Sequence, residues 1–202
     1  MDRSRTVATG IAIGLVACLA IWVGARWLSP APPLPELFPI PDFELTSEQG
    51  EVVRSADLRG KVVVANFIFT RCPTVCPGLT ARMARLQSEI PADLPVRLVS
   101  FSVDPRHDTP EVLRAYGEKY GQDPARWTFL TGDFEKVLKA VEEGFRIGVE
   151  GVENPDASPF DIIHGEHFVL IDRKGTIRGY YPNAEPDLRQ LVRDAKRLAR
   201  EG

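Results

Sequence analysis

Residues 61–77 read KVVVANFIFTRCPTVCP, and this stretch decides the fold. Its first nine residues are mostly β-branched or aromatic, with almost no polar break. Such a run predicts a strand that is buried on both faces, as in the middle of a sheet covered by helices. The cysteine pair that follows lies just past the carboxyl end of this strand, where open α/β sheets place their functional sites.

The rest of the chain supplies further elements of the same kind. A second buried strand is predicted over 96–103. Thr109 and Pro110 open a helix, because threonine caps helices well and proline suits the first helical position. The remaining patterns predict a hairpin around 48–50, strands at 127–130, 167–171 and 176–181, helices at 77–90, 133–143 and 186–201, and an irregular loop over 148–163. The order βαβαβ followed by ββα predicts an α/β, thioredoxin-like fold with a central mixed sheet flanked by helices.

The amino terminus predicts a membrane attachment. Residues 7–25 carry no charge and approach the ~20 apolar residues that a spanning helix needs, so we expect a transmembrane anchor there. Residues 1–6 would be cytoplasmic, 26–41 a proline-rich linker and 42–202 the folded domain. The arginines ahead of the anchor favour placing that domain on the periplasmic side of a bacterial plasma membrane. A cleaved secretory signal and a lipoprotein signal ending at Cys18 remain alternatives.

Composition excludes one class of partner. The formal net charge is −3, and the basic residues are scattered among acidic ones. A nucleic-acid-binding protein would usually carry a basic patch, so no nucleic-acid partner is expected.

The cysteines point to redox or metal chemistry. The chain has three, and the folded domain holds only Cys72 and Cys76, which is too few for a disulfide-stapled scaffold. Pro77 predicts a helix that begins right after Cys76, so both sulfurs would lie near a helix amino terminus, whose partial positive charge stabilises thiolates. Arg71 would add a nearby cation. The pair can close a disulfide or open toward one metal ion.

The histidines supply a candidate third ligand. Of the three in the chain, His164 lies just before the strand predicted at 167–171 and His167 begins it, and in a thioredoxin-like fold the approach to that strand faces the cysteine loop. His164 is therefore predicted to reach the sulfurs. Two thiolates suit Cu(I), and an imidazole allows Cu(II) as well, with one ion per domain. We expect His167 to be partly buried by strand alternation, with an auxiliary ligand role as the alternative, and His107 to be a solvated loop residue.

Four segments carry a family resemblance: FTRCPTVCP (69–77), SVDPRHDTPEVLRAYGEKYG (102–121), WTFLTG (127–132) and IIHGEHFVLIDRKGTIRGYY (162–181). Over about residues 40–200 the chain resembles the Sco/SenC family of copper proteins. The resemblance implies that Cys72, Cys76 and His164 bind copper, with Asp104 and Asp108 as possible auxiliary residues that serve first as turn and cap groups. Two departures are Thr74, where many members have aspartate, and Gly165, where many have serine or threonine.

The resemblance also implies a function and partners. Sco proteins assist assembly of the copper centre of cytochrome c oxidase, so the expected partners are the copper-receiving oxidase subunit and other copper chaperones or thiol reductants. We therefore expect a copper metallochaperone, most simply a non-enzymatic one. The alternative is a membrane-tethered thiol–disulfide oxidoreductase using the same cysteines. Thioredoxin-type reductases place a proline before the strand that faces the cysteines, and His164 in that approach favours metal binding.

Overall fold

The computed structural model describes residues 18, 22, 32–154 and 158–201. The chain divides into two units, 1–33 and 34–202, and the fold below is that of the second unit. The predicted anchor over 7–25 lies almost entirely outside the described residues. Within the described part of the chain, no helix has both the length and the apolar character that a membrane crossing requires.

The folded unit contains nine described strands and four α-helices. The strands are β1 (Glu44–Ser47), β2 (Val52–Arg54), β3 (Val62–Ile68), β4 (Val96–Ser102), β5 (Trp127–Thr131), β6 (Val149–Glu150), β7 (Ile163–His164), β8 (Phe168–Ile171) and β9 (Ile177–Tyr181). The helices are α1 (Cys76–Glu89), α2 (Pro110–Lys119), α3 (Phe134–Leu138) and α4 (Glu185–Arg200), with a short 3-10 helix at Ser55–Leu58 and a π-helical segment at Lys139–Gly144.

Seven strands form one mixed sheet in the order β2-β1-β5-β4-β3-β8-β9. Strand β3 lies parallel to β4 and antiparallel to β8, and β5 runs parallel to β4. All seven side chains of β3 are buried, which confirms the prediction of a central strand covered on both faces. The mixed, helix-flanked sheet confirms the predicted thioredoxin-like architecture. It also brings the carboxyl ends of β3 and β4 to one edge, where the cysteine loop begins.

The helices follow the local signals, with one correction. In α2, Thr109 caps the helix as predicted, since its side chain accepts a hydrogen bond from the Val112 amide. The helix predicted over 133–143 is confirmed in its Asp133 cap and its extent, but α3 ends at Leu138 and the chain continues as the wider π-helical segment. That wider turn delivers Phe145 to the core, 4.9 Å from the Phe101 ring centroid. Gly144 ends the segment against the Pro41 ring, which leaves no room for a Cβ atom.

The loop predicted as irregular over 148–163 is also partly wrong. Its two ends form a short antiparallel ladder in which Val149 pairs with His164 and Glu150 pairs with Ile163. Gly151 follows β6 with a φ of +84°, and its α-carbon lies so close to the Asp161 carbonyl that a side chain would clash. His164 is therefore held in a strand by backbone pairing, rather than in a loose approach to β8.

Candidate metal centre

The cysteine loop, residues 69–75, links β3 to α1 and meets strand β7 at the candidate site. Helix α1 begins at Cys76 itself, one residue earlier than predicted. Cys76 Sγ lies 3.3 Å from His164 Nε2, although 88 residues separate the two along the chain. The structure therefore brings one of the predicted cysteines and the predicted histidine into direct contact, and both side chains are buried.

The His164 ring is held with its Nε2 atom facing the thiol. Nδ1 lies 3.2 Å from the carbonyl oxygen of Gly165, which can only accept, so Nδ1 carries the proton and Nε2 keeps a lone pair. Burial lowers the pKa of His164 and outweighs the opposing Gly165 hydrogen bond and the Glu166 charge. A neutral imidazole with an oriented lone pair is the form that binds metal ions.

The two thiols are electrostatically unequal. Both are reduced and buried. At Cys72, burial works against the thiolate, but hydrogen bonds from the Cys76 amide and from Thr74 outweigh it and lower the pKa. At Cys76, burial raises the pKa strongly, and the neighbouring Cys72 charge adds to the effect. Cys72 therefore loses its proton more readily than Cys76, whose raised pKa favours keeping the proton that it can donate to His164 Nε2.

Asp104 holds the cysteine loop from the side of β4. Its Oδ2 atom accepts hydrogen bonds from Arg71 Nε at 3.1 Å and Nη2 at 2.8 Å, and its Oδ1 lies 2.9 Å from His107 Nδ1. The Arg71 guanidinium, predicted as a cation near the thiols, is therefore paired with this carboxylate. His107 belongs to the same cluster and is not simply a solvated loop residue.

Asp108 anchors the start of the cysteine loop from a fully buried position. Its carboxylate accepts hydrogen bonds from the Thr70 amide at 3.1 Å, the Thr70 hydroxyl at 2.5 Å and the Ser102 hydroxyl at 2.6 Å. The ends of β3 and β4 are thereby tied through one side chain. Burial raises the pKa of Asp108, and the nearby Asp104 charge acts in the same direction.

Comparisons with known proteins assign the family. The SCO1/SenC family profile matches residues 36–200 of the chain. The chain belongs to the SCO1/SenC family. A SCO1/SenC family lipoprotein from Bacillus anthracis is 38% identical, with a TM-score of 0.72, over 80% of this chain and 95% of that one.

Two further Sco structures are similar. BsSco, described as having a disulfide switch and as a member of a family of cytochrome c oxidase assembly proteins, is 29% identical, with a TM-score of 0.72, over 84% of this chain and 99% of its own. ScoI of Bradyrhizobium japonicum, described with copper bound, is 27% identical, with a TM-score of 0.63, over 79% of this chain and 98% of its own.

The predicted ligands do not form a ready-made cluster of three. In the described part of the chain, no three His, Cys, Asp or Glu side chains already stand close enough together to hold a metal ion. Cys76 Sγ contacts His164 Nε2, while Cys72 Sγ lies 3.5 Å from Thr74 Oγ1 and also interacts with the Cys76 thiol. The proton between Cys76 and His164 would have to leave before both atoms could bind one metal ion.

His167 differs from the expectation drawn from the sequence. His167 is exposed, so the predicted partial burial is wrong, and it lines a surface cavity of about 260 Å³ with Phe38, Arg146 and Tyr180.

Sequence reasoning missed Thr70 and Ser102, which bind Asp108 at the ends of β3 and β4. A hydroxyl residue at the carboxyl end of each strand was the available signal.

Proposed function

We propose that this Sco-family chain carries one copper ion on Cys72, Cys76 and His164 and passes it to the copper-receiving subunit of cytochrome c oxidase. The observation that carries the proposal is the 3.3 Å contact between Cys76 Sγ and an oriented His164 Nε2, beside a second thiol on the same loop. Two thiolates and an imidazole suit Cu(I) and also tolerate Cu(II). The copper-bound state described for Bradyrhizobium ScoI supports the same cargo.

The residues divide the work of binding. Cys72, with its lowered pKa, offers the first thiolate, and the neutral His164 offers Nε2 without losing a proton. Cys76 becomes a ligand by releasing the proton it shares with His164, so loading releases protons to solvent. Three protein ligands leave a coordination position free for an incoming ligand of the recipient. Asp108 and Asp104 hold Thr70 and Arg71, at the beginning of the cysteine loop, while the sulfurs exchange ligands.

The site would work at a membrane surface. We propose that residues 7–25 tether the domain to a bacterial plasma membrane and that 42–202 lies on the periplasmic side. The Bacillus anthracis relative is described as a lipoprotein, so lipid attachment at Cys18 is a second form of the same tether. Protease accessibility in sealed spheroplasts tests the orientation, because cleavage of the domain by external protease is expected only for a periplasmic one.

Copper titration tests the cargo and the ligands. The full-length chain in detergent, reduced and under anaerobic conditions, is titrated with Cu(I) against a competing chelator and, separately, with Cu(II). We expect one equivalent of each ion in the wild type and a marked loss of Cu(II) affinity in His164→Ala. His167→Ala is the matched control and should leave stoichiometry unchanged. Normal binding of both ions by His164→Ala would contradict the ligand assignment.

A thiol–disulfide oxidoreductase is the second candidate, favoured by the unequal pKa values of the two thiols. The Cys72 thiolate would attack a disulfide of the partner, forming a mixed disulfide and releasing one partner thiolate. Cys76 would then lose its proton and attack the Cys72 sulfur, so that the partner's second thiol leaves and two electrons have passed to the partner. The disulfide switch described for BsSco supports a redox-active pair.

A trapping experiment separates the two functions. With an oxidised recipient domain as substrate, Cys76→Ser should accumulate a mixed disulfide through Cys72, visible on a non-reducing gel, whereas Cys72→Ser should not. If reduced, copper-free wild-type protein reduces the recipient disulfide, thiol exchange is an activity of the pair, and bound copper should block it because it occupies the same sulfurs. If the protein binds copper but leaves the disulfide intact, the chaperone function stands alone.

A further inference from the structure

Two large apolar side chains are exposed to solvent in the segment that leads to His164. Phe160 is 74% exposed and Ile163 is 62% exposed, more than any other large hydrophobic residue of the described part of the folded unit. Both belong to the segment between β6 and β7, and Ile163 immediately precedes His164. Single exposed apolar residues are common on protein surfaces, so position and surroundings must decide whether these two have a role.

Backbone pairing and a hydrogen-bonded turn hold both residues in position. Ile163 is fixed opposite Glu150 by the β6–β7 ladder. Phe160 sits in a tight turn, where its amide donates to the Ser158 hydroxyl at 3.3 Å, and the Ser158 amide donates to the Asp161 carboxylate at 3.1 Å. A surface that is ordered before binding loses less entropy on association, which favours recognition.

Both residues are close to His164 along the chain, Ile163 directly before it and Phe160 four residues before it. Neighbouring residues of a strand face opposite sides, so the buried His164 leaves Ile163 pointing outward. Because Cys76 touches His164, the cysteine loop meets this strand, and its Pro73 is exposed while Val75 is half-buried. The thiols themselves are buried, so a recipient must first bind the surface near them. We define the apolar rim as Phe160 and Ile163, from the segment that leads to His164, with Pro73 and Val75 of the cysteine loop.

The segment 149–167, which carries Phe160 and Ile163, is rich in carboxylates. Residues 149–167 contain no lysine or arginine. Exposed carboxylates there are Glu150, Glu153, Asp161 and Glu166. One cation from the adjacent loop, Arg106, lies against this segment, since its guanidinium donates to the Val152 carbonyl at 2.6 Å, and the acidic side chains of the segment outnumber it. Arg71 is already paired with Asp104.

We propose that the apolar rim and its carboxylates form the docking surface for the protein that receives the cargo, and that this partner presents an apolar patch ringed by lysine and arginine. This inference rests on the proposed function and adds the partner's chemistry to it. Phe160 and Ile163 supply the buried anchor of the complex, as aromatic and aliphatic residues do at interface centres. The carboxylates steer a basic partner and set the orientation that brings its ligands to the site.

The test measures association and copper binding separately. The full-length chain in detergent is immobilised, and the probe is the soluble copper-receiving domain of the oxidase subunit from the same cells. We expect Phe160→Ser with Ile163→Thr to weaken binding about tenfold or more, because truncated anchors carry most interface energy. Glu150→Lys should slow association and flatten its salt dependence. Copper stoichiometry of all variants should equal that of the wild type.

Matched controls come from the β1–β2 hairpin, where Glu51 and Val52 are likewise exposed. Val52→Thr and Glu51→Lys remove an apolar side chain and reverse a charge at the sheet edge, and both should bind the recipient normally. Unchanged affinity in the Phe160 and Ile163 double variant, or equal losses in the hairpin controls, would overturn the proposal. A wild type that binds recipient but no copper would overturn the proposed function and leave the docking surface standing.

Discussion

Replacing Asp108 tests whether one buried carboxylate holds the cysteine loop. In Asp108→Ala, the Thr70 amide loses its acceptor at the end of β3, and the hydroxyls of Thr70 and Ser102 lose theirs. A buried amide left without a partner costs about 1–3 kcal/mol. The hydroxyls can turn to other acceptors, and removing a buried charge returns part of its desolvation cost. We therefore expect the free energy of unfolding to fall by about 2–4 kcal/mol.

The isosteric change Asp108→Asn separates shape from charge. The amide oxygen can still accept from Thr70, and the Ser102 oxygen can accept from the new amide, so the loss should be about 1 kcal/mol at neutral pH. The sign of the pH dependence follows from the raised pKa of Asp108, whose ordinary value is 3.8. Because the folded state binds the proton more tightly, wild-type stability falls as pH rises from 3.8 through the raised pKa. The deficit of Asp108→Asn should therefore be largest below pH 4 and shrink toward neutrality.

Urea unfolding of the full-length chain, followed by far-ultraviolet circular dichroism at several pH values, measures both variants. Other titrating groups are common to wild type and variant, so their contributions cancel in the difference. A loss of under 1 kcal/mol in Asp108→Ala would refute the anchoring role. A deficit of Asp108→Asn that does not change with pH would refute the argument from the buried charge.

Two further substitutions test the loop and the strand of the site. Arg71→Gln removes the two hydrogen bonds to Asp104 and should lower copper affinity about tenfold, because residues that hold metal ligands in place typically contribute that much. Competition with a Cu(I) chelator measures the affinity. Arg85→Gln, which removes exposed ion pairs, is the control and should leave the affinity unchanged. Gly151→Ala should destabilise the chain by about 1–3 kcal/mol, since it combines a positive φ with a clash at a carbonyl. Gly50→Ala has a similar φ but open space, so in urea unfolding it should cost less.

Much of the fold could be predicted because it depends on local patterns. The apolar run of β3 and the Thr109–Pro110 start of α2 determine their elements with little help from distant residues. The β6–β7 ladder could not be predicted, because each of its strands has only two residues, and an alternating pattern cannot be recognised over so short a stretch. The π-helical segment was missed for another reason: its width is set by the seating of Phe145 among core rings, which is a tertiary effect.

At the site, the sequence predicts which side chains meet but not their chemical state. The approach of His164 to the cysteine loop follows from the order of elements in a thioredoxin-like sheet. The inequality of Cys72 and Cys76 does not, because it depends on which backbone amides point at each sulfur and on how deeply each lies. The pairing of Arg71 with Asp104 was not predicted either, because the two residues lie 33 positions apart along the chain.

In the proposed function, copper loading and disulfide formation use the same two sulfurs, so the two states would exclude each other. The sulfurs lie on the cysteine loop and on the first residue of α1, and the beginning of the loop is held by Asp104 and Asp108 through Arg71 and Thr70. Phe160 and Ile163 lie instead on the β6–β7 segment, whose ladder does not involve the sulfurs. We therefore expect reduced, metal-free protein and the disulfide form to bind the recipient domain within about threefold of each other, or under 1 kcal/mol. Surface-binding measurements on both forms test this, and a tenfold difference would mean that the loop itself supplies the main contact.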